Sequence, residues 1–312
     1  MLKTKGITEG AILLSVFAVL LFITLFVPLL GFISSLFLIL PFLLYSSKYP
    51  LNYSFVLVIA SIGLSLFIGS VLSLPIVVTT SIVGVLIGYF VQQGRQKGTI
   101  LLVASVVTLI ITVIEYMIAV VFLEVNIVSE LFKTLDEAVE MSYGIVERMG
   151  QTPDPKAIES MESMVDLMKA LVPSIFVIMS VMSVLIWMLL NFPIMKRFGV
   201  NVPKFQPFHK MMLPKSILWY YLITLVISLF ISVEPGSYGY FALVNLSFIF
   251  QLLLILQGFS FLFYWSYSRG WSKAIPVSLT IFFLIFYPLL FIIRLLGIID
   301  LGFNLRQRLQ HK

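Results

Sequence analysis

Glu115 is the residue in this chain whose setting points to chemistry most directly. It lies near the middle of ILLVASVVTLIITVIEYMIAVVFLE, a run with no other charge before its last residue, and Ser105, Thr108, Thr112 and Ala119 recur around it at spacings of three and four. On a helix that spacing is one polar stripe. A carboxylate at membrane depth is costly, so its stripe should face the bundle interior or a wet cavity, where it can take a proton, a cation or a cationic ligand group. A protonated Glu115 hydrogen-bonded to a neighbouring helix is the structural alternative. Arg294, in the last apolar run, is a candidate charge partner, or a side chain that snorkels to an interface. Thr108, Thr112 and Gln251 complete the candidate ligand-binding set with Glu115. Weaker stripes at Ser180, Ser183, Trp187 and Asn191, at Thr224, Ser228 and Ser232, and at Asn245, Ser247, Gln251 and Gln257 read mainly as interhelical hydrogen bonds.

These residues need helices in a bilayer to position them. Of 312 residues, 60% are hydrophobic and 11% charged, with no cysteine and a mean hydropathy of +1.10. A soluble domain carries about 25% charge, so the chain is expected to be an all-α polytopic membrane bundle of about eight to ten segments. That excludes a soluble enzyme and a disulfide scaffold. The net charge of +6 does not argue for nucleic acid, because residues 124–171 hold ten acidic and four basic side chains while the rest holds four acidic and sixteen basic. Such asymmetry is a topology signal. Apolar runs predict spans at 8–28, 30–47, 52–71, 73–93, 99–123, 171–193, 216–232, 239–266 and 275–299.

Lys3, Lys5, Lys48, Arg95, Lys97, Lys196, Arg197, Lys204, Lys210, Lys215, Arg269 and Lys273 fall at the N-terminus and in every second loop, predicting a multi-pass cell-membrane protein with a cytoplasmic N-terminus. Tyr45, Tyr49, Trp219 and Trp265 fall at the same interface. Arg306, Arg308 and Lys312 break the rule if 275–299 crosses once. Pro288 interrupts that run, so a broken helix, a re-entrant hairpin or an interfacial helix is expected there, with a cytoplasmic tail. The chain's start does not read as a cleaved signal peptide.

The domains expected are a five-span bundle over 1–123, an external amphipathic hairpin over 124–171, and a membrane block over 172–312 containing a basic loop at 193–215. In the hairpin, Val128, Leu131, Phe132, Leu135, Val139, Val146 and Met149 line one helix, and Ile158, Met161, Met164, Val165 and Met168 line the next. Asp154 should cap the second helix ahead of Pro155. A hairpin packed on itself or a lid over an entrance both fit. Methionines without cysteine or nearby histidine do not suggest a metal site. Gly84 and Gly88, with Ser61, Ser65 and Gly69 on the preceding run, predict close helix packing. The chain carries no phosphate loop, HExxH, GxSxG or CxxC motif, so no enzyme and no cofactor is expected.

The stretch MKRFGVNVPKFQPFHKMMLPKSILWYY, residues 195–221, resembles the YybS family of polytopic membrane proteins of Gram-positive bacteria, and the resemblance runs over essentially the whole chain. It implies a membrane fold and brings no catalytic residues. The layout of the first six spans is also similar to the substrate-binding S-components of energy-coupling-factor vitamin transporters, a resemblance that implies a small-molecule binder. Their A-x-x-x-A contact motif has only a degenerate counterpart here, Ala11-xxx-Ser15.

Two functions follow. One is a small-molecule binding or transport subunit with Glu115, Thr108, Thr112 and Gln251 at a cavity under the hairpin, needing transporter partner subunits for active import. The other is a non-transporting scaffold or regulator whose Lys196, Arg197, Lys204, Lys210 and Lys215 dock a cytoplasmic partner or anionic membrane lipid. An intramembrane enzyme acting on lipid is a distant third.

Overall fold

The computed structural model describes residues 2–150, 152, 154–204, 206–230, 234 and 236–306, which are helical with connecting turns. They form two compact units, Met1–Val128 with Phe176–Phe205, and Ser129–Ile175 with Gln206–Lys312.

The first unit contains α1 (Leu2–Phe26), α2 (Leu30–Ser35), α3 (Leu40–Ser46), α4 (Leu51–Gly69), α5 (Leu74–Gln92), α6 (Lys97–Phe122) and most of α9 (Val172–Arg197). The expected span at 30–47 is not one helix, and the reason is Pro41. Without an N–H, Pro41 cannot bond the carbonyl of Phe37, and its ring crowds that carbonyl. The chain tightens instead into three-residue turns, with Leu36, Phe37 and Leu40 donating to Ile33, Ser34 and Phe37. Asn191 of α9, fully buried, donates to the carbonyl of Leu36 at 3.0 Å. One side chain thus satisfies a backbone group at the break. A Cβ on Gly84 would lie 2.8 Å from the Cβ of Phe42, and one on Gly88 would lie 2.7 Å from the Leu43 carbonyl. The predicted small-residue pair therefore lets α5 close on α3. Ile39, Leu43, Val83, Ile87, Ile100, Val184 and Met188 fill the core between these helices. Glu9 of α1 is tied to Lys48 at 2.6 Å and to the Tyr49 hydroxyl at 2.7 Å.

The second unit contains α7 (Ile127–Arg148), α8 (Pro155–Ala170), a single turn at Phe208–Lys210, α10 (Ser216–Phe230), α11 (Tyr238–Ser268), α12 (Ala274–Ile285) and α13 (Leu290–Phe303). The amphipathic hairpin is present as α7 and α8. Gly150 at φ +75° ends its first turn region, and the Asp154 carboxylate accepts from the Lys156 amide at 3.0 Å, starting α8 as the sequence predicts. Val165 and Ala170 are buried while Met161, Met164 and Met168 are exposed, so α8 turns its branched and small residues inward.

Among the described residues, six helices are long and apolar enough to cross a membrane, and the α12–α13 pair makes a seventh if counted as one span. The segment expected at 216–232 is there as a shorter apolar helix, Ser216–Phe230, with 231 and 232 outside the described residues, and that expected at 30–47 as the short apolar pair α2 and α3. The segment expected at 275–299 is not a single crossing. It bends by 114° between Ile285 and Tyr287, beside Pro288. Past the bend, α13 runs in the same direction as α11, since Gln251, Gly258 and Tyr264 meet Arg294, Gly297 and Arg306 in rising order. Only the five residues 269–273 separate the end of α11 from Ala274, and Arg306 is back beside Tyr264. Both ends of residues 274–306 therefore lie at the same end of α11, which makes the segment a re-entrant hairpin.

Close packing fixes this arrangement. A Cβ on Gly258 would collide with the Ile293 carbonyl, and one on Gly297 with the Leu254 carbonyl. The two backbones touch where only glycine fits.

Candidate functional site

Polar residues gather at three places, each within one unit. In the first unit, Glu115 is half-buried on α6 and its carboxylate accepts from the Thr79 hydroxyl of α5, at 2.9 and 3.1 Å to its two oxygens. The rest of the stripe is arranged differently. Thr108 is buried and donates to the Ala104 carbonyl of its own helix at 2.8 Å, and Thr112 is half-buried. The stripe is thus buried at Ser105 and Thr108 and opens toward Glu115. The partner that matters, Thr79, was not among the predicted residues. It sits in an apolar run whose only signal is the pair Thr79 and Thr80.

Gln251 belongs to the second unit. Its Oε1 accepts from Arg294 Nη1 at 2.6 Å, a partner on its own unit. Gln251 also lines a cavity of about 550 Å³ whose other walls include Leu167 and Leu171 at the α8–α9 junction, Tyr240 and Phe248 on α11, and Tyr287 at the bend. That junction is pinned by Asn245, which accepts from the amide and hydroxyl of Ser174 at 2.9 and 2.6 Å and donates to the Ala170 carbonyl at 2.8 Å. Asn245 therefore does what its stripe predicted, joining helices by hydrogen bonds. The hairpin's second helix ends in the cavity wall.

The third cluster joins residues that the sequence marked only singly, Gln257 as an interhelical hydrogen-bonder and Arg306 as a tail charge. Asp300 on α13 is fully buried and pairs with Arg306 Nε at 3.0 Å, while Gln257 Nε2 donates to the same oxygen at 2.6 Å. Arg306 also donates to the His209 carbonyl at 2.8 Å and to the Ser260 hydroxyl at 3.1 Å. Ser260 donates to the carbonyls of Phe208 and Met211, and Gln257 Oε1 accepts from the Leu213 amide at 2.9 Å. A buried ion pair repays its desolvation only when further hydrogen bonds complete it. Here Arg306 finds them on the His209 carbonyl and Ser260, and Asp300 Oδ2 on Gln257, so the pair and the loop stabilise one another, although Asp300 Oδ1 has no partner among the described residues. His209 stacks on Tyr267 with centroids 4.2 Å apart. Burial, helped by the charges of Lys210, Arg306 and Lys273, holds its imidazole below the ordinary value of 6.5.

The last part of the basic loop, residues 208–213, is therefore anchored within the second unit. Lys196, Arg197, Lys204, Lys210 and Lys215 are all exposed. Arg306, expected only as a tail charge, is buried, while Arg308 and Lys312 lie outside the described residues. Among the described residues no group of three or more acidic or histidine side chains is placed to hold a metal ion.

Comparison with known proteins places this architecture. Over 311 residues the chain is 26% identical to "Uncharacterized protein YybS" of Bacillus subtilis (strain 168), covering 99% of this chain and all of that protein. No solved structure matches, and the likeness to S-components finds no support in these matches. A family profile described as "Predicted membrane protein (DUF2232)" matches residues 15–301. The chain is an integral membrane protein and belongs to the DUF2232 family of predicted membrane proteins.

Proposed function

We propose that the protein is a small-molecule binding or transport subunit whose site is the cavity beside Gln251. The observation that carries this reading is the cavity itself. Its volume of about 550 Å³ falls within the roughly 300–1,000 Å³ of ligand pockets, and its apolar wall carries a few polar groups, Ser228, Ser247, Tyr240 and Gln251. The contribution of Leu167 and Leu171 supports the lid role for the hairpin. With the basic loops cytoplasmic, the N-terminus is cytoplasmic and the hairpin external. The bond from Arg306 to the His209 carbonyl supports a tail on the loop's side. The chain has no phosphate-loop motif, so energised import would draw on partner subunits.

Native mass spectrometry of the protein in nanodiscs tests this. One bound molecule per chain is expected in the wild type and should be absent from Ser247→Trp, whose indole takes up part of the cavity. An adduct kept in Ser247→Trp but lost in Glu115→Gln would move the site to α6. An empty wild type would overturn the reading.

The exposed basic side chains favour a second reading, a scaffold. Lys210 flanks a backbone held by Arg306 and Ser260, so it stands on a fixed base, as a docking surface for anionic lipid or a cytoplasmic partner requires. Replacing Lys196, Arg197, Lys204, Lys210 and Lys215 with Gln would then abolish function while Ser247→Trp stays silent.

A further inference from the structure

We propose that the cavity takes an anionic amphiphile, a single apolar chain carrying a phosphate or carboxylate headgroup, and that Arg294 is the group that reads the charge. The inference rests on the binding reading above and names its ligand class.

Depth comes first. Gln251 is thirteen residues from the start of the 31-residue helix α11 and seventeen from its end, about 20 and 26 Å along the axis at 1.5 Å per residue. Arg294, held by the Gln251 side chain at 2.6 Å, is therefore at hydrocarbon depth. A guanidinium does not lose its proton in a protein, so the charge persists there.

Compensation comes second. Among the described residues of its own unit, the ion pairs join Asp136, Glu137, Asp166 and Asp300 to other cations, and none includes Arg294. Its polar contact is one N–H given to a neutral amide, with the Phe291 ring 5.2 Å away on its face. Four further N–H donors remain on the fork. A membrane-depth cation with this little compensation is a functional signal, and a guanidinium is shaped to take the two oxygens of a phosphate or carboxylate.

Access comes third. Gln251 is part of the cavity wall, so the guanidinium stands one hydrogen bond behind the lining. Around it Leu167, Leu171, Leu243, Val244 and Phe248 suit an alkyl chain. Charge at one point and apolar surface elsewhere match an amphiphile.

The test uses the full chain in phosphatidylcholine nanodiscs, with dodecyl phosphate and dodecanol as probes and native mass spectrometry as readout. One dodecyl phosphate per chain should be retained, with dodecanol at least ten-fold weaker. Arg294→Gln should lose the phosphate at least ten-fold, and Arg294→Lys should recover part of it. Gln251→Glu supplies an internal carboxylate to Arg294 and keeps the fork held, so it should also expel the probe without loss of folding. Dodecanol binding as well as dodecyl phosphate, with both blocked by Ser247→Trp, would overturn the anion inference and leave the binding reading standing. No retention of either probe, with no cellular adduct in the wild type, would overturn both. Adding phosphatidylglycerol separates the sources of the headgroup. Displacement of the probe in an Arg294-dependent way identifies a bilayer lipid, and no displacement identifies a free amphiphile.

Discussion

In the first unit the membrane-depth carboxylate of Glu115 is half-buried and takes its hydrogen bonds from a single threonine. In the second, Asp300 is fully buried and one of its oxygens is shared between Gln257 and Arg306, which in turn hold a loop. The first carboxylate is local: removing its charge leaves Thr79 an ordinary hydroxyl with an amide to bond. The second is structural, because its removal strands a buried guanidinium. The same acid-to-amide change should therefore cost very different amounts in the two units.

Asp300→Asn is expected to have the largest effect. It leaves Arg306 buried without its counter-charge, a loss of about 3–5 kcal/mol, seen as a lowered Tm and as cleavage of residues 206–215 by added protease. A Tm within a degree of wild type would break the comparison. Gly297→Ala comes next. Its Cβ meets the Leu254 carbonyl, so α11 and α13 must separate, at about 1–3 kcal/mol, and the Asp300 cluster should loosen with them. A cysteine pair across the two helices would report the separation through its cross-linking yield.

Asn191→Leu removes the donor at the break between α2 and α3 and should cost about 1–3 kcal/mol, the price of an unsatisfied buried carbonyl. Thermal unfolding of the detergent-solubilised chain would register it. His209 gives a pH test. Its folded pKa is depressed, so the unfolded chain takes up a proton first as pH falls, and the stability contributed above pH 6.5 is lost as pH drops through the folded value. His209→Phe keeps the stack on Tyr267 and should flatten the Tm-against-pH curve below 6.5. Glu115→Gln should change stability least, by less than about 0.5 kcal/mol. A larger loss would show that α6 carries a partner beyond Thr79.

What could be read from the sequence follows from what is local in it. Most of the apolar runs of about 20 residues, the Asp154–Pro155 helix start and the Gly84–Gly88 pair depend on residues close together in the chain, and these are where they were expected. Pairings across the chain are different. Gln257 and Asp300 are 43 residues apart, and Arg306 reaches a carbonyl 97 residues away. No periodicity encodes such a partner, and Arg306 read alone is one more basic residue in a tail. Arg294 shows the same limit: it could be marked as costly at membrane depth, but its bond to Gln251, 43 residues earlier, is a matter of packing. Pro41 was legible in principle, since proline breaks a helix interior. The uninterrupted apolar composition around it concealed the break.

The order in which the anchor's parts are made has a consequence for biogenesis. Residues 208–213 leave the ribosome first, Gln257 and Ser260 follow, and Arg306 arrives roughly 90 residues after Leu213. At about 5–20 residues per second, the loop spends on the order of 5–20 s in the nascent chain without the guanidinium that fastens it. Until Gln257 and Ser260 follow, the backbone groups of the loop have only water or a chaperone to satisfy them, and the His209 carbonyl waits for Arg306 itself, so this stretch is the window in which quality-control proteases would recognise an unfinished molecule.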